Sequence, residues 1–442
     1  MGNMNAVLAK GIFVGGLTGL LFGFDTAVIA GATHGLAATF GLGPAGLGAT
    51  VSSALWGTFT GALIAGYPGD RFGARNCLRV IAAMYLLSAL GSFLAPTLAL
   101  FIAARVLGGL AIGASTVLAP TYLAEIAPAD RRGALVGVFQ LNIVFGILVA
   151  YLSNYLIGVH LGGPEAWRWK FLVAVFPAAL LGAQLFTIPN SPRWLAVRGR
   201  RAEAADVLGR IGVRDVTAEL NSYSHADRPA SGALARLSWR RHARPMLLAM
   251  GIAAFNQLSG INAILYYLND IFAAAGFGRV SAAGQAVLIG ATNLVFTLLA
   301  LAVIDRFGRR TLLRVGSLGL IVSLAATAYI ELSGAHQQWL VWMLVLFIAS
   351  FAFSQGAVIW VYIAEIFPTE VRSRGQGLGA STHWCMDALI ATFFPIAAAY
   401  SKGLPFVFFA GMMVVQLVVV TRYFPETRRV RLEDMEKALG RA

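Results

Sequence analysis

Charge is what this sequence has least of. Only 12% of its 442 residues are charged and 58% are hydrophobic, whereas soluble chains carry roughly 25% charged residues. A soluble chain of several domains, which the length alone would suggest, is excluded, and the chain is expected to live in a lipid bilayer. Cysteine is nearly absent: Cys77 and Cys385 are the only two. They build no disulfide framework and have no metal-ligand spacing, so neither a metal nor a cofactor is expected. No nucleophile-base pair, phosphate-binding glycine loop or metal-ligand cluster stands at a spacing that chemistry uses, and an enzyme is not expected either. Acidic residues are few, 20 against 34 lysines and arginines, for a net charge of +14. The basic residues lie between the apolar runs, so they report topology and not a nucleic-acid partner.

What is present is a series of twelve apolar runs, at 11–32, 48–68, 77–95, 98–118, 134–157, 168–188, 244–273, 282–304, 311–331, 338–363, 376–400 and 403–423. Most are about as long as a helix needs to be to cross hydrocarbon. The first is too long for a signal-peptide core and has no clear cleavage site, so it is expected to remain as a span. The fold class expected is an all-α membrane protein of twelve transmembrane helices. Its halves of six are 1–188 and 244–423, with an arginine-rich helical linker at 189–243 and a tail at 424–442. In the linker, Ser191 can cap a helix with Pro192 at its first position, and 202–211 has helical spacing. With a cytoplasmic N-terminus, the outer connections hold only Arg168, Lys170, Arg279 and Lys402, and Arg105 lies within a span. Both termini are therefore expected in the cytoplasm. Compact loops and the absence of organellar targeting favour a bacterial inner membrane. Glycines spaced by four, namely Gly15, Gly19 and Gly23, Gly109 and Gly113, and Gly133 and Gly137, are expected to pack helices closely.

Two motifs occur twice. Asp70-Arg71-Phe72-Gly73-Ala74-Arg75 follows span 2, and Asp305-Arg306-Phe307-Gly308-Arg309-Arg310 follows span 8. Tyr122-Leu123-Ala124-Glu125-Ile126, followed by Arg131, comes after span 4, and Tyr362-Ile363-Ala364-Glu365-Ile366, followed by Arg372, after span 10. Parallel repeats with a central site are a transporter architecture. These charges are expected to hold the inner ends of the halves together through weak ion pairs.

Span 7 contains Asn256-Gln257-Leu258-Ser259-Gly260-Ile261-Asn262, then Tyr266-Tyr267. Polar groups inside a span face protein or a water-filled cavity. Neutral amides beside aromatic rings suit an uncharged ligand rich in hydroxyls, a sugar or polyol, and Gly260 can loosen the helix. The alternative is that amides join helices, as they often do in bundles. Asp25 in span 1 and Arg105 in span 4 lie at similar depth and can pair, either as a static ion pair or as a proton switch.

With these motifs the chain resembles a sugar porter of the major facilitator superfamily over nearly its whole length. Further markers are Gly108-Gly109, Pro189-x-Ser191-Pro192-Arg193-Trp194-Leu195 and Pro425-Glu426-Thr427. The resemblance implies sugar contacts at Gln140, Asn256, Gln257, Asn262, Tyr266, Asn293, Trp360 and Trp384, and implies proton coupling through Asp25 with Arg105. The sequence departs from the family pattern where Asn256 replaces a glutamine and where Gly356-Ala357 lacks the usual proline, which leaves the bending of span 10 open. It departs again at His383 and Asp387, where asparagines would be expected. These two stand at i, i+4 spacing and can share a proton; Asp387 is expected to bind sugar, or the pair to form a second proton site. The function expected is uptake of a hexose or pentose with a proton by alternating access, as a monomer in the bilayer. The other readings are a facilitator of the same fold, a polyol or inositol symporter, and a non-transporting sugar sensor, for which the tail is short.

Overall fold

The computed structural model describes residues 6–127, 132–213, 215–226, 237–368 and 371–428, and these contain helices and no strand. Eleven helices among the described residues are long and apolar enough to cross a membrane. A twelfth, Arg372–Tyr400, has 29 residues but carries Arg, Ser, Thr, His and Asp. The twelve expected spans are all helical. Spans 1, 2, 6, 7 and 10 are broken.

Close contacts divide the chain into two compact units. The first comprises Met1–Thr26, Trp56–Ile147 and Phe171–Leu234, and the second Ala27–Leu55, Leu148–Lys170 and Ala235–Ala442. Within the second unit, segments from the first half of the sequence lie against helices of the second half. Tyr151 donates its hydroxyl to Leu265 O at 2.8 Å. A Cβ on Gly48 would stand 2.1 Å from Thr392 O.

In the first unit, the glycines of span 1 let its backbone touch span 5. A Cβ on Gly19 would lie 2.4 Å from Phe139 O, and one on Gly23 1.8 Å from Ile143 O. Gly109 and Gly113 likewise face span 2, through Gly57 and Thr58. Gly137 departs from the expectation, since nothing lies within 4 Å of its Cβ position.

The repeated motifs fold alike. Gly73 closes the helix Gly66–Phe72 at φ 83°, ψ 144°, and Gly308 closes Arg279–Phe307 at φ 85°, ψ 156°. Only glycine adopts such angles readily. Each turn is covered by the segment after its sixth span. The Trp194 indole donates to Asp70 O at 3.0 Å, and Ser191 caps the helix Pro192–Val197 as expected. In the second half, Glu426 accepts from the amides of Arg309 and Arg310 at 2.9 and 3.1 Å. This places a carboxylate at the positive end of a helix dipole. Tyr122 donates to Pro189 O, and Tyr362 to Pro425 O. The repeat thus includes the Pro189–Trp194 and Pro425–Thr427 markers, which share little sequence beyond the opening proline.

Candidate functional site

Span 7 is where helix geometry fails. The helix Trp239–Leu258 ends at Ser259, Gly260 turns left-handed at φ 83°, and two short helices follow, Ile261–Tyr266 and Leu268–Ala274. Beside this break runs Arg372–Tyr400, and the polar groups of the two elements meet. Asn262 Nδ2 donates to Asp387 Oδ2 at 2.9 Å, and the Tyr266 hydroxyl donates to the same oxygen at 3.0 Å. Gln257 Nε2 lies 3.0 Å from His383 Nε2. The Trp360 and Trp384 rings flank His383, with centroids 5.1 and 5.0 Å from its own.

Buried polar atoms are nearly always hydrogen-bonded. Here Asn256 Nδ2, Gln257 Oε1 and Asp387 Oδ1 have no partner, although Asn256, Gln257 and Asp387 are only 3%, 1% and 0% exposed. One donor and two acceptors are thus held ready beside aromatic rings. That pattern matches a small ligand whose hydroxyls both donate and accept.

The structure therefore brings together Gln257, Asn262, Tyr266, Trp360, Trp384 and Asp387, with Asn256 next in the chain. Trp360, at 37% exposed, is the most open of them. Asn293 is buried on Arg279–Phe307 and hydrogen-bonds to none of these side chains. Gln140 is half-buried on Arg132–His160 in the first unit. His383 and Asp387, which spacing alone would pair, each bond to span 7 instead. The neighbouring helix offers better-placed partners, Gln257 to one and Asn262 with Tyr266 to the other. Span 10 bends without proline: Leu340–Phe353 stops at Ser354 (φ −122°, ψ −88°) before Gln355–Ile366 begins. There Gln355 Nε2 donates to Gln416 Oε1 at 3.0 Å. The sequence carries no sign of this buried amide pair, because each glutamine is one polar residue in an apolar run.

In the first unit Asp25 and Arg105 form the expected pair, 7% and 3% exposed. The contact is bidentate, NH1 to Oδ1 at 2.6 Å and NH2 to Oδ2 at 3.0 Å. The guanidinium lies over the Phe171 ring at 5.2 Å. Gly108 makes room: a Cβ there would stand 2.4 Å from Ser88 Oγ and 3.8 Å from Asp25 Oδ2.

Of the charges in the repeated motifs, Arg309 NH2 donates to Glu365 Oε1 at 3.0 Å, and the Thr427 hydroxyl donates to Glu365 Oε2 at 2.6 Å. Arg310 donates to Thr421 O. Arg75 donates to Ile188 O at 3.0 Å, and Arg71 to the Tyr67 hydroxyl at 3.1 Å. Each of these contacts joins residues of one sequence half. Asp70 and Arg306 are exposed, and Glu125 and Arg372 are engaged. Arg131 and the Asp305 side chain lie outside the described residues.

Repeated six-helix halves, polar groups at a broken span and a buried ion pair within the membrane region define a membrane transporter. The chain belongs to the sugar transporter family: the family model described as "Sugar (and other) transporter" matches residues 12–439. It is 35% identical to the D-xylose transporter of Levilactobacillus brevis, over 97% of this chain and 94% of the relative. It is 31% identical to the D-xylose-proton symporter of Escherichia coli (strain K12), over 95% and 93%. Among solved structures, the inward open conformation of the xylose transporter XylE from E. coli superposes with a TM-score of 0.87 at 29% identity, covering 98% of this chain and 99% of that one.

Proposed function

We propose that this protein is a secondary active transporter that takes up a monosaccharide, a hexose or a pentose, together with a proton by alternating access. The observation that carries the reading is the set of unpartnered buried polar atoms on Asn256, Gln257 and Asp387, beside Trp384, at a break in a membrane helix. Hydroxyls of a neutral sugar match those donors and acceptors, and a pyranose face stacks on tryptophan. Gln140, Asn256, Gln257, Asn262, Tyr266, Asn293, Trp360, Trp384 and Asp387 are its contacts. The halves 1–188 and 244–423, with the helical linker between them, rock about this site.

Asp25 and Arg105 are the coupling pair. A charge in the bilayer interior costs at least about 2.5–3.5 kcal/mol, so the carboxylate and guanidinium stay together while both are charged. A proton from the outer side adds to Asp25, removes its negative charge and releases Arg105, whose helix is then free to repack. Once the site opens inward, the proton leaves and the pair re-forms. The inner-loop charges Asp70, Arg71, Arg75, Glu125, Arg131, Asp305, Arg306, Arg309, Arg310, Glu365 and Arg372 latch the cytoplasmic side. The protein works as a monomer in a bacterial inner membrane with both termini in the cytoplasm.

The test uses lightly buffered proteoliposomes, recording external pH alongside counterflow of labelled D-xylose and D-glucose, for the native chain and Asp25→Asn. Sugar addition is expected to raise external pH in the native chain, and Asp25→Asn to retain counterflow with a smaller rise. Counterflow with no pH change in the native chain would make the protein a facilitator and Asp25 a structural ion pair.

A further inference from the structure

Asp25 has a cation beside it, and Asp387 has none. Among the described residues, no lysine, arginine or histidine nitrogen lies within 4.0 Å of the Asp387 carboxylate, which is fully buried. Its two oxygens are used unequally: Oδ2 accepts from Asn262 and Tyr266, while Oδ1 has no partner.

The elements around it bring no compensating charge. On Trp239–Leu258 the titratable residues are Arg240, Arg241, His242 and Arg244, all at the far end from Gln257. Ile261–Tyr266 brings only Tyr266, and the next residue, Tyr267, donates to Ala391 O at 2.9 Å. Tyr151 is bound to Leu265 O. Gln355–Ile366 carries Tyr362 and Glu365, both engaged at the inner loops. Leu404–Tyr423 carries Arg422 and Tyr423 in its last turn, and Pro44–Ile64, which sets Gly48 on Thr392, has no titratable residue. On Arg372–Tyr400 itself, Arg372 and Arg374 stand at its start, and His383 is taken up by Gln257.

An ionised carboxylate buried without a cation costs several kcal/mol. A protonated one avoids that cost and has the bonding pattern seen here: one oxygen accepts, and the other carries a hydrogen that seeks an acceptor. Gln257 Oε1 in the same cluster is an acceptor without a donor. The geometry points to Asp387 as a second proton-binding site, inside the sugar pocket, with sugar binding to its protonated form. A proton from the outer water adds to Oδ1, and the resulting hydroxyl donates to a sugar oxygen. After the sugar leaves inward, the proton passes to water and the carboxylate re-forms while the site is wet. This rests on the cluster being the sugar site.

The experiment measures equilibrium binding of labelled D-xylose and D-glucose to purified protein from mildly acidic to mildly alkaline pH. It compares the native chain with Asp25→Asn, Asp387→Asn and Tyr266→Phe. In the native chain affinity is expected to fall as pH rises, approaching about tenfold per pH unit once the carboxyl ionises. Asp25→Asn keeps that fall. Asp387→Asn, whose carboxamide is neutral at every pH, flattens it. Tyr266→Phe removes a donor that favours the ionised form, so its fall begins at higher pH; this arm stands even if the Asp387 variant does not fold. A fall that survives Asp387→Asn, a flat native profile, or a Tyr266→Phe shift to lower pH overturns the proposal. No binding of either sugar at any pH in a folded native chain overturns the sugar-site reading, and this proposal with it.

Discussion

Asp25 and Asp387 are both carboxylates inside membrane helices, and their surroundings give them different roles. Asp25 is held by two charged hydrogen bonds from one guanidinium, an arrangement lysine cannot reproduce. Removing one member of such a pair leaves the other charge buried alone, at a cost of about 3–5 kcal/mol. Arg105→Ala is therefore expected to lower the thermal unfolding temperature of the detergent-purified protein sharply. Adding Asp25→Asn to that variant should recover much of the loss, because the orphaned charge is gone. Equal unfolding temperatures for the single and double variants would mean that the pair contributes packing and not charge balance. The pairing of Asp25 with Arg105 was foreseeable, since a charge in a span demands an opposite one and only one lay at the right depth. The partners of Asp387 were not, because helical spacing names the residues on its own helix and says nothing of those facing it.

At the scale of the element, the break in span 7 makes the site. An unbroken helix would direct Asn256, Gln257, Asn262 and Tyr266 around a cylinder at a fixed 100° step; the left-handed Gly260 resets the direction after Ser259 and sends Asn262 and Tyr266 to one carboxylate. Gly260→Ala is opposed twice. The left-handed angle costs an L-residue roughly 1–2 kcal/mol, and the new Cβ would stand 2.3 Å from the Phe409 ring. A lowered unfolding temperature and weakened sugar binding are expected, measured by thermal shift and labelled-sugar binding. Adding Phe409→Ala should relieve the overlap but not the angle. If Gly260→Ala matches the native chain in both measurements, the break does not shape the site. The break at Ser354 teaches the opposite lesson about sequence. Without proline or a positive-φ glycine it leaves no local mark, and it follows from packing: a Cβ on Gly316 would stand 1.8 Å from Ser354 Oγ.

For the whole molecule, the second unit gathers segments of the first half onto the second. Gly48 is the tightest such contact, because the atom it faces is backbone and cannot turn aside. Gly48→Val is expected to push these segments apart and favour the conformation open to the outside. In a chain freed of Cys77 and Cys385, a cysteine at Tyr155, which packs on Gly284, should then react faster with a membrane-impermeant thiol reagent. An unchanged labelling rate would show that the helices accommodate the valine without opening.

Hydropathy and motif were enough to read the membrane class, the twelve spans, the repeated loops and most of the polar residues that meet at the site. Each of these is a one-dimensional property: hydropathy over a span's length, a motif seen twice, an amide where apolar residues surround it. Which polar groups bond to one another came from the folded arrangement of the helices. It alone showed that Trp194 and Glu426, unlike in sequence, cover equivalent turns, and that Asp387 Oδ1 and Gln257 Oε1 are left without partners. The physical reason is that a hydrogen bond depends on distance and direction to an atom on another helix. Helix-to-helix register comes from the packing of whole faces, glycine against backbone, and no local stretch of sequence encodes it.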